Sequence, residues 1–125
     1  MRLNPDCVRD VLLKIELLAG FRDGILCDTD SYELASEMPD YSRDIILYTL
    51  KALLDDGMLD AEDRDMIASH DFIVKDITPK GRDFLDAIRP KSAWAKIKER
   101  LGALASISMD ILTKIATTYI SSKLG

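Results

Sequence analysis

The feature that most constrains this chain is a pair of amphipathic helices parted by a proline break and closed by a glycine. In "DSYELASEMPDYSRDIILYTLKALLDDGML" a short helix is expected over Tyr32–Met38, capped by Asp30 or Ser31, with Leu34, Ala35 and Met38 facing inward. Pro39 breaks it, because proline disfavours helical geometry in the residue before it. Ser42 is the expected N-cap of a longer helix, whose buried face is Ile45, Ile46, Leu50, Leu53 and Leu54. Gly57 ends that helix, and Met58 and Leu59 return the chain to the core. Further on, "FIVKDI" has the composition of a strand, with "MIASHD" as its expected hairpin partner and "DAEDRD" as a solvated loop. Helix, brief turn, longer helix and hairpin is the order of a winged helix-turn-helix. The expected fold class is therefore mainly α with a small β-wing.

The two ends extend this core. "NPDCVRDVLLKIELLAG" predicts a helix with Asn4 as N-cap, Pro5 in the first turn and Asp6 beside the positive helix end. Val8, Val11, Leu12, Ile15 and Leu18 give it one buried stripe, and Gly20 stops it. "FRDG" reads as a turn and "ILC" as a short strand. After the wing, Thr78 caps a helix beginning at Pro79, with Phe84, Leu85 and Ile88 as its apolar side and Pro90 as its end. "SAWAKIKERLGAL" predicts another, with Trp94, Ile97, Leu101 and Leu104 inward. After a break near Gly102–Ser106, "SMDILTKIATTYISSKL" predicts a last one. Residues 1–90 are thus expected to form a winged-helix domain. Residues 91–125 form a helical extension that packs on it or mediates dimerisation.

A chain of 125 residues fits one core, and no apolar run approaches the ~18 residues that span a bilayer. The N-terminus lacks the apolar core of a signal peptide, so a cytoplasmic address is expected. Cys7 and Cys27 match neither a CxxC pair nor a zinc site in a chain with one histidine, and a reducing cytosol argues against their forming a disulfide. The net charge of −5 conceals a division. Residues 1–78 carry eight basic and eighteen acidic side chains, a balance of −10; residues 79–125 carry nine and four, a balance of +5.

The blocks "LNPDCVRDVLLKIE", "YSRDIILYTLKALLDDGML", "DITPKGRDFLDAIR" and "SMDILTKIA" occur in that order. Together they resemble a family of small bacterial and prophage proteins described as a domain of unknown function. The resemblance covers nearly the whole chain, with the opening block and T-P-K-G-x-x-F-L as its most specific parts. It implies a winged-helix fold with added C-terminal helices, a phage or mobile-element context, and no assigned catalysis. The family carries histidine after the tyrosine of the middle helix. Here Thr49 follows Tyr48, so a role resting on that histidine does not carry over.

Little in the sequence suggests chemistry. His70 reads as an exposed turn residue, because a general base needs an orienting carboxylate and a nucleophile beside it. A calcium loop counted from Asp60 needs Gly sixth and Glu twelfth, where Asp65 and Asp71 stand. Neither a phosphate-binding glycine loop nor GxSxG is present. No cofactor or metal is expected, and the chain reads as a non-enzyme.

Four surfaces are candidates for binding. Tyr41, Ser42, Arg43, Tyr48 and Lys51 would face DNA if the longer helix entered a major groove. Arg89, Lys91, Lys96, Lys98 and Arg100, with Trp94 among them, form a basic segment able to meet phosphates and stack on bases. The alternative for this segment is an apolar stripe through Trp94 with a wet basic side. Asp55, Asp56, Asp60, Glu62, Asp63 and Asp65 form an acidic surface where a DNA reader needs cations. Ile111, Leu112, Ile115, Tyr119 and Ile120 either pack internally or form the seam of a homodimer. With only Lys114 and Lys123 on its polar side, that last helix is poorly suited to a membrane surface. Three functions compete: a protein-interaction module, which the acidic surface favours, a DNA-binding regulator, and an acidic DNA mimic that blocks a host nuclease or defence complex.

Overall fold

A computed structural model describes residues 1–104 and 106–124, with side chains as far as Ile120; Lys123 lies outside the described side chains. Helix α1, Pro5–Leu18, begins as its sequence requires: the Asn4 side chain accepts from the Cys7 backbone N–H at 3.2 Å. It buries Cys7, Val8, Val11, Leu12 and Ile15 completely, while Leu18 is half-buried. Then come β1, Gly20–Arg22, and β2, Ile25–Cys27, an antiparallel pair. Asp23 and Gly24 between them have φ of 50° and 79°. Positive φ at both central residues is the geometry of a type I′ hairpin turn. The segment read as a turn and one strand is thus a complete hairpin.

Strand β3, Thr29–Asp30, leads into α2, Ser31–Glu37, whose N-cap Asp30 accepts from the Glu33 N–H at 2.8 Å. Helix α3, Arg43–Asp55, is capped by Ser42, which accepts from Ile45 N–H at 3.2 Å. It fully buries Ile46, Thr49, Leu50 and Leu53, while Ile45 and Leu54 are half-buried. Gly57, at φ 76°, turns the chain out of it. Strands β4, Leu59–Asp65, and β5, His70–Ile77, complete a three-stranded antiparallel sheet in the order β3-β5-β4.

Two sequence expectations change here. The hairpin partner of "FIVKDI" is not "MIASHD" but the acidic run, paired from Leu59↔Ile77 to Asp65↔His70 with a bulge at Asp60/Ala61. Met66–Ser69 is the turn, closed by Met66 N–H donating to the Ser69 carbonyl at 3.0 Å. Aspartate and glutamate are poor strand formers, so "DAEDRD" looks like a loop in isolation. The apolar run of β5 imposes the pairing.

Helices α4, Pro79–Ile88, α5, Lys91–Leu101, and α6, Met109–Leu124, follow. Leu104 lies past the end of α5 and is exposed, contrary to the expected stripe. Phe84, Leu85, Ile88, Trp94, Ile97 and Leu112 join α1, α3 and β5 in one apolar core.

The T-P-K-G block has a structural role at every position. Thr78 caps α4 by accepting from Gly81 N–H at 3.1 Å, and its hydroxyl donates to the Gly57 carbonyl at 2.7 Å. Its own N–H donates to the Met58 carbonyl at 3.0 Å, and Lys80 Nζ donates to the Asp56 carbonyl at 2.7 Å. Pro79 occupies the first turn, where its missing N–H costs nothing. A Cβ on Gly81 would lie 2.2 Å from the Met58 carbonyl oxygen. The block clamps the end of α3 to the start of α4.

Polar contacts tie α1 to the later helices. Arg9 donates through Nε to the Ile88 carbonyl at 3.0 Å and through Nη2 to the Arg89 carbonyl at 2.5 Å, satisfying the open end of α4. Arg89 forms two 2.7 Å bonds to the Glu16 carboxylate, and Asp6 accepts from Trp94 Nε1 at 2.9 Å with Lys98 Nζ at 3.1 Å. Partial burial pushes the Asp6 carboxyl up, but the Trp94 and Lys98 bonds outweigh it and hold the group below its ordinary value. The Arg89 bonds do the same for Glu16. A depressed carboxyl stabilises the fold above its unfolded pKa, and that stability is lost as pH falls through the folded value. Chemical denaturation should therefore show stability falling below about pH 4. An Asp6→Asn, Glu16→Gln variant should show a shallower fall. Both side chains are substantially exposed, so the difference will be modest.

Candidate functional site

The outward face of α3 and the adjoining β4–β5 hairpin form the most feature-rich surface. Asp44, Leu47, Tyr48, Lys51, Ala52 and Asp55 recur at helical spacing along it. Three grooves of about 280, 360 and 370 Å³ meet at Tyr48. One opens toward His70 and Phe72 of β5. A second lies between Ala52, Leu3 and the Ile107–Asp110 stretch. The third runs past Leu3 to Leu104 and Ile107. Their apolar lining is Leu47 and Phe72 in the first, Leu3, Ala52 and Ile107 in the second, and Leu3, Leu104 and Ile107 in the third.

Of the five residues expected to face DNA, four have partners within the fold. The Tyr41 hydroxyl donates to Asp10 at 2.7 Å, with burial and then that bond raising its pKa, and Ser42 is the cap. Arg43 turns inward, donating to the His70 carbonyl at 2.6 Å and lying 4.2 Å over the Tyr32 ring. Lys51 pairs with Asp55 at 3.1 Å. Among the described residues Tyr48 alone of the five has no such partner, and it is 39% exposed.

The basic segment divides. Trp94 is 6% exposed and bonded to Asp6, so its ring is not offered to a base. Arg89 is held by Glu16 and by Asp86 at 3.3 Å, Lys98 by Asp6, and Lys96 stands 3.9 Å from Glu99. Lys91 and Arg100 are exposed and make no ion pair among the described residues. On α6, Leu112 and Tyr119 are buried in the chain's own core, while Ile111, Ile115 and Ile120 are half-buried.

The strand pairing that the sequence concealed divides the acidic residues between two faces, with Asp63 and Asp65 beside His70 and Glu62 beside Arg64. Asp60, Glu62, Asp63 and Asp65 are all exposed on β4, at the edge of the sheet. Charges there also discourage unwanted edge-to-edge pairing. Asp55 and Asp56 end α3 nearby, with Lys80 3.4 Å from Asp56.

His70 is not an exposed turn residue. It opens β5 half-buried, with Nε2 bonded to Asp63, Nδ1 3.5 Å from Asp65, and its ring beside Phe72. Asp71 takes no part in this. It is buried and accepts from the Ser31 N–H at 3.3 Å and the Ser31 hydroxyl. Both imidazole nitrogens face carboxylates. Among the described residues no group of three or more His, Cys, Asp and Glu side chains is placed to hold a metal ion. Among them, too, no helix is long and apolar enough to cross a membrane. Cys7 and Cys27 are free thiols; burial raises the Cys7 pKa, and Thr49 Oγ1 lies 3.4 Å from its sulfur.

A second apolar surface was not anticipated. Leu17, Phe21, Ile25 and Leu26 are 58–76% exposed around the β1–β2 hairpin. Arg22 ties the hairpin to the end of α1 by donating to the Leu17 and Leu18 carbonyls.

Fold and surface together define a small, mainly helical domain with antiparallel sheets and a grooved, carboxylate-rich face. The chain belongs to the family described as "Hypothetical protein (DUF2513)", matched over residues 2–108. It is also similar to an "Uncharacterized protein" of Haemophilus influenzae, 26% identical over 126 residues and aligned along the full length of both chains.

Proposed function

We propose that this chain is a non-enzymatic, winged-helix protein-interaction module that presents α3 and the β4–β5 wing to a partner protein. The order α1-β3-α2-α3-β4-β5, with β5 central in the sheet, supports the winged-helix reading by analogy of fold. One observation carries the functional reading. Between residues 43 and 65 there are seven acidic and three basic side chains, and one of the three, Arg43, is turned into the fold. Counterion release from phosphates is the main source of non-specific DNA affinity, and this face has few cations to supply it.

A labelled mixed-sequence duplex should give no salt-dependent rise in fluorescence anisotropy, even at low ionic strength. Tight low-salt binding that weakens steeply as salt rises would return the DNA-regulator reading. Its loss in an Arg89, Lys91, Lys96, Lys98 charge-removal variant would then put that site on α5. A variant with Asp60, Glu62, Asp63 and Asp65 changed to Asn and Gln should melt like the parent but capture its partner more weakly. The DNA-mimic reading shares this acidic face and predicts competition with duplex DNA for a nuclease.

A further inference from the structure

We infer that the grooves meeting at Tyr48 form one docking trough for a cationic amphipathic helix of a partner protein. This rests on the protein-interaction reading and adds the partner's chemistry. Positions 44, 47, 48, 51, 52 and 55 share one face of α3 over about three turns, roughly 16 Å of helix axis. That length matches a partner helix of about eleven residues lying alongside. The floor is apolar and half-buried at Leu3, Leu47, Ala52 and Ile107, so it is accessible to an apolar stripe.

The rim supplies the sign of the partner's charge. Asp44, Asp55, Asp56 and Asp110 border the trough, against Lys51 and Arg2 as the cations in its lining. Lys51, Lys80 and Lys114 pair with three of these carboxylates at 3.1, 3.4 and 2.9 Å. The Lys51–Asp55 and Lys114–Asp110 pairs are exposed and weak enough for a partner's cations to displace, whereas Asp56 is half-buried; Lys80 and Lys114 lie outside the lining of the three grooves. At the wing end the trough meets His70, itself flanked by Asp63 and Asp65. A helix presenting an apolar stripe between lysine or arginine rows satisfies both floor and rim, the helix-in-groove mode of recognition.

The test uses the full chain and a labelled 14-residue peptide of leucine and lysine in amphipathic order. Its comparators are an isomer of the same composition in scrambled order and a leucine–glutamate counterpart. The amphipathic cationic peptide should bind at least tenfold tighter than the isomer, gaining helical circular dichroism, and the acidic peptide should not bind. Ala52→Arg, which fills the floor, and Tyr48→Ala, which removes the shared wall, should each weaken binding at least fivefold with melting unchanged. Should one variant fail to fold, the other carries the test. Equal binding of both cationic peptides, lost only in the wing Asn/Gln variant, would overturn the trough while leaving the acidic-face reading intact. Undiminished binding by the trough variants, or no binding of the amphipathic peptide, would also overturn it.

Discussion

Gly81→Ala should lower the stability of this protein by about 3 kcal/mol, seen as a fall of roughly 10 °C in melting temperature. A methyl group at that position would sit 2.2 Å from the Met58 carbonyl oxygen and 2.7 Å from Ile77 Cγ2. The first obstacle is backbone, which cannot rotate away as a side chain can. Relief requires moving the start of α4 off the end of α3, which stretches the bonds made by Thr78 and Lys80. Gly102→Ala is the matched control. Its Cβ would meet the nearest backbone oxygens at 3.5 Å, an ordinary contact, and its backbone is right-handed helical. That substitution should leave stability unchanged or slightly raised, by about 0.5 kcal/mol through the unfolded chain's entropy.

The second large effect is expected at Asp71. Its carboxylate is 8% exposed and accepts both the N–H and the hydroxyl of Ser31, which is fully buried. The same hydroxyl oxygen lies 3.4 Å from Arg43 Nη2 and from the Phe72 N–H, so one serine joins α2, α3 and the central strand. Asp71→Ala should cost about 2–3 kcal/mol, because buried donors lose a charged acceptor without gaining water. Asp71→Asn keeps one acceptor oxygen and should recover part of that loss. Urea unfolding of the two variants beside the parent measures both, and equal stability of all three would remove Asp71 from the account.

The helices were largely legible because their ends carry side chains with local duties. Asn4, Asp30, Ser42 and Thr78 each accept a backbone N–H three residues on, and Pro5 and Pro79 start helices where they cost no hydrogen bond. What was hidden depends on distant partners. Nothing within "DAEDRD" favours a strand; only the register with His70–Ile77 makes it one. His70 looked isolated because Asp63 and Asp65 reach it across that same register. Trp94 could be placed on an apolar stripe from its spacing, but not that its indole bonds to Asp6 eighty-eight residues earlier. Arg43 looked like a free cation, because nothing local reveals that α2 and β5 surround it.

That reach from one end of the chain to the other bears on how the protein is made. Arg9 is satisfied by carbonyls at positions 88 and 89, Glu16 by Arg89, and Asp6 by Trp94 and Lys98. During synthesis the first helix therefore emerges long before the groups that complete it. Contacts so far apart in sequence carry a large loop-closure cost and slow the final folding step. The nascent chain must keep the apolar stripe of α1 from other surfaces until α4 and α5 leave the ribosome, so the last third of the chain governs when its first helix becomes native.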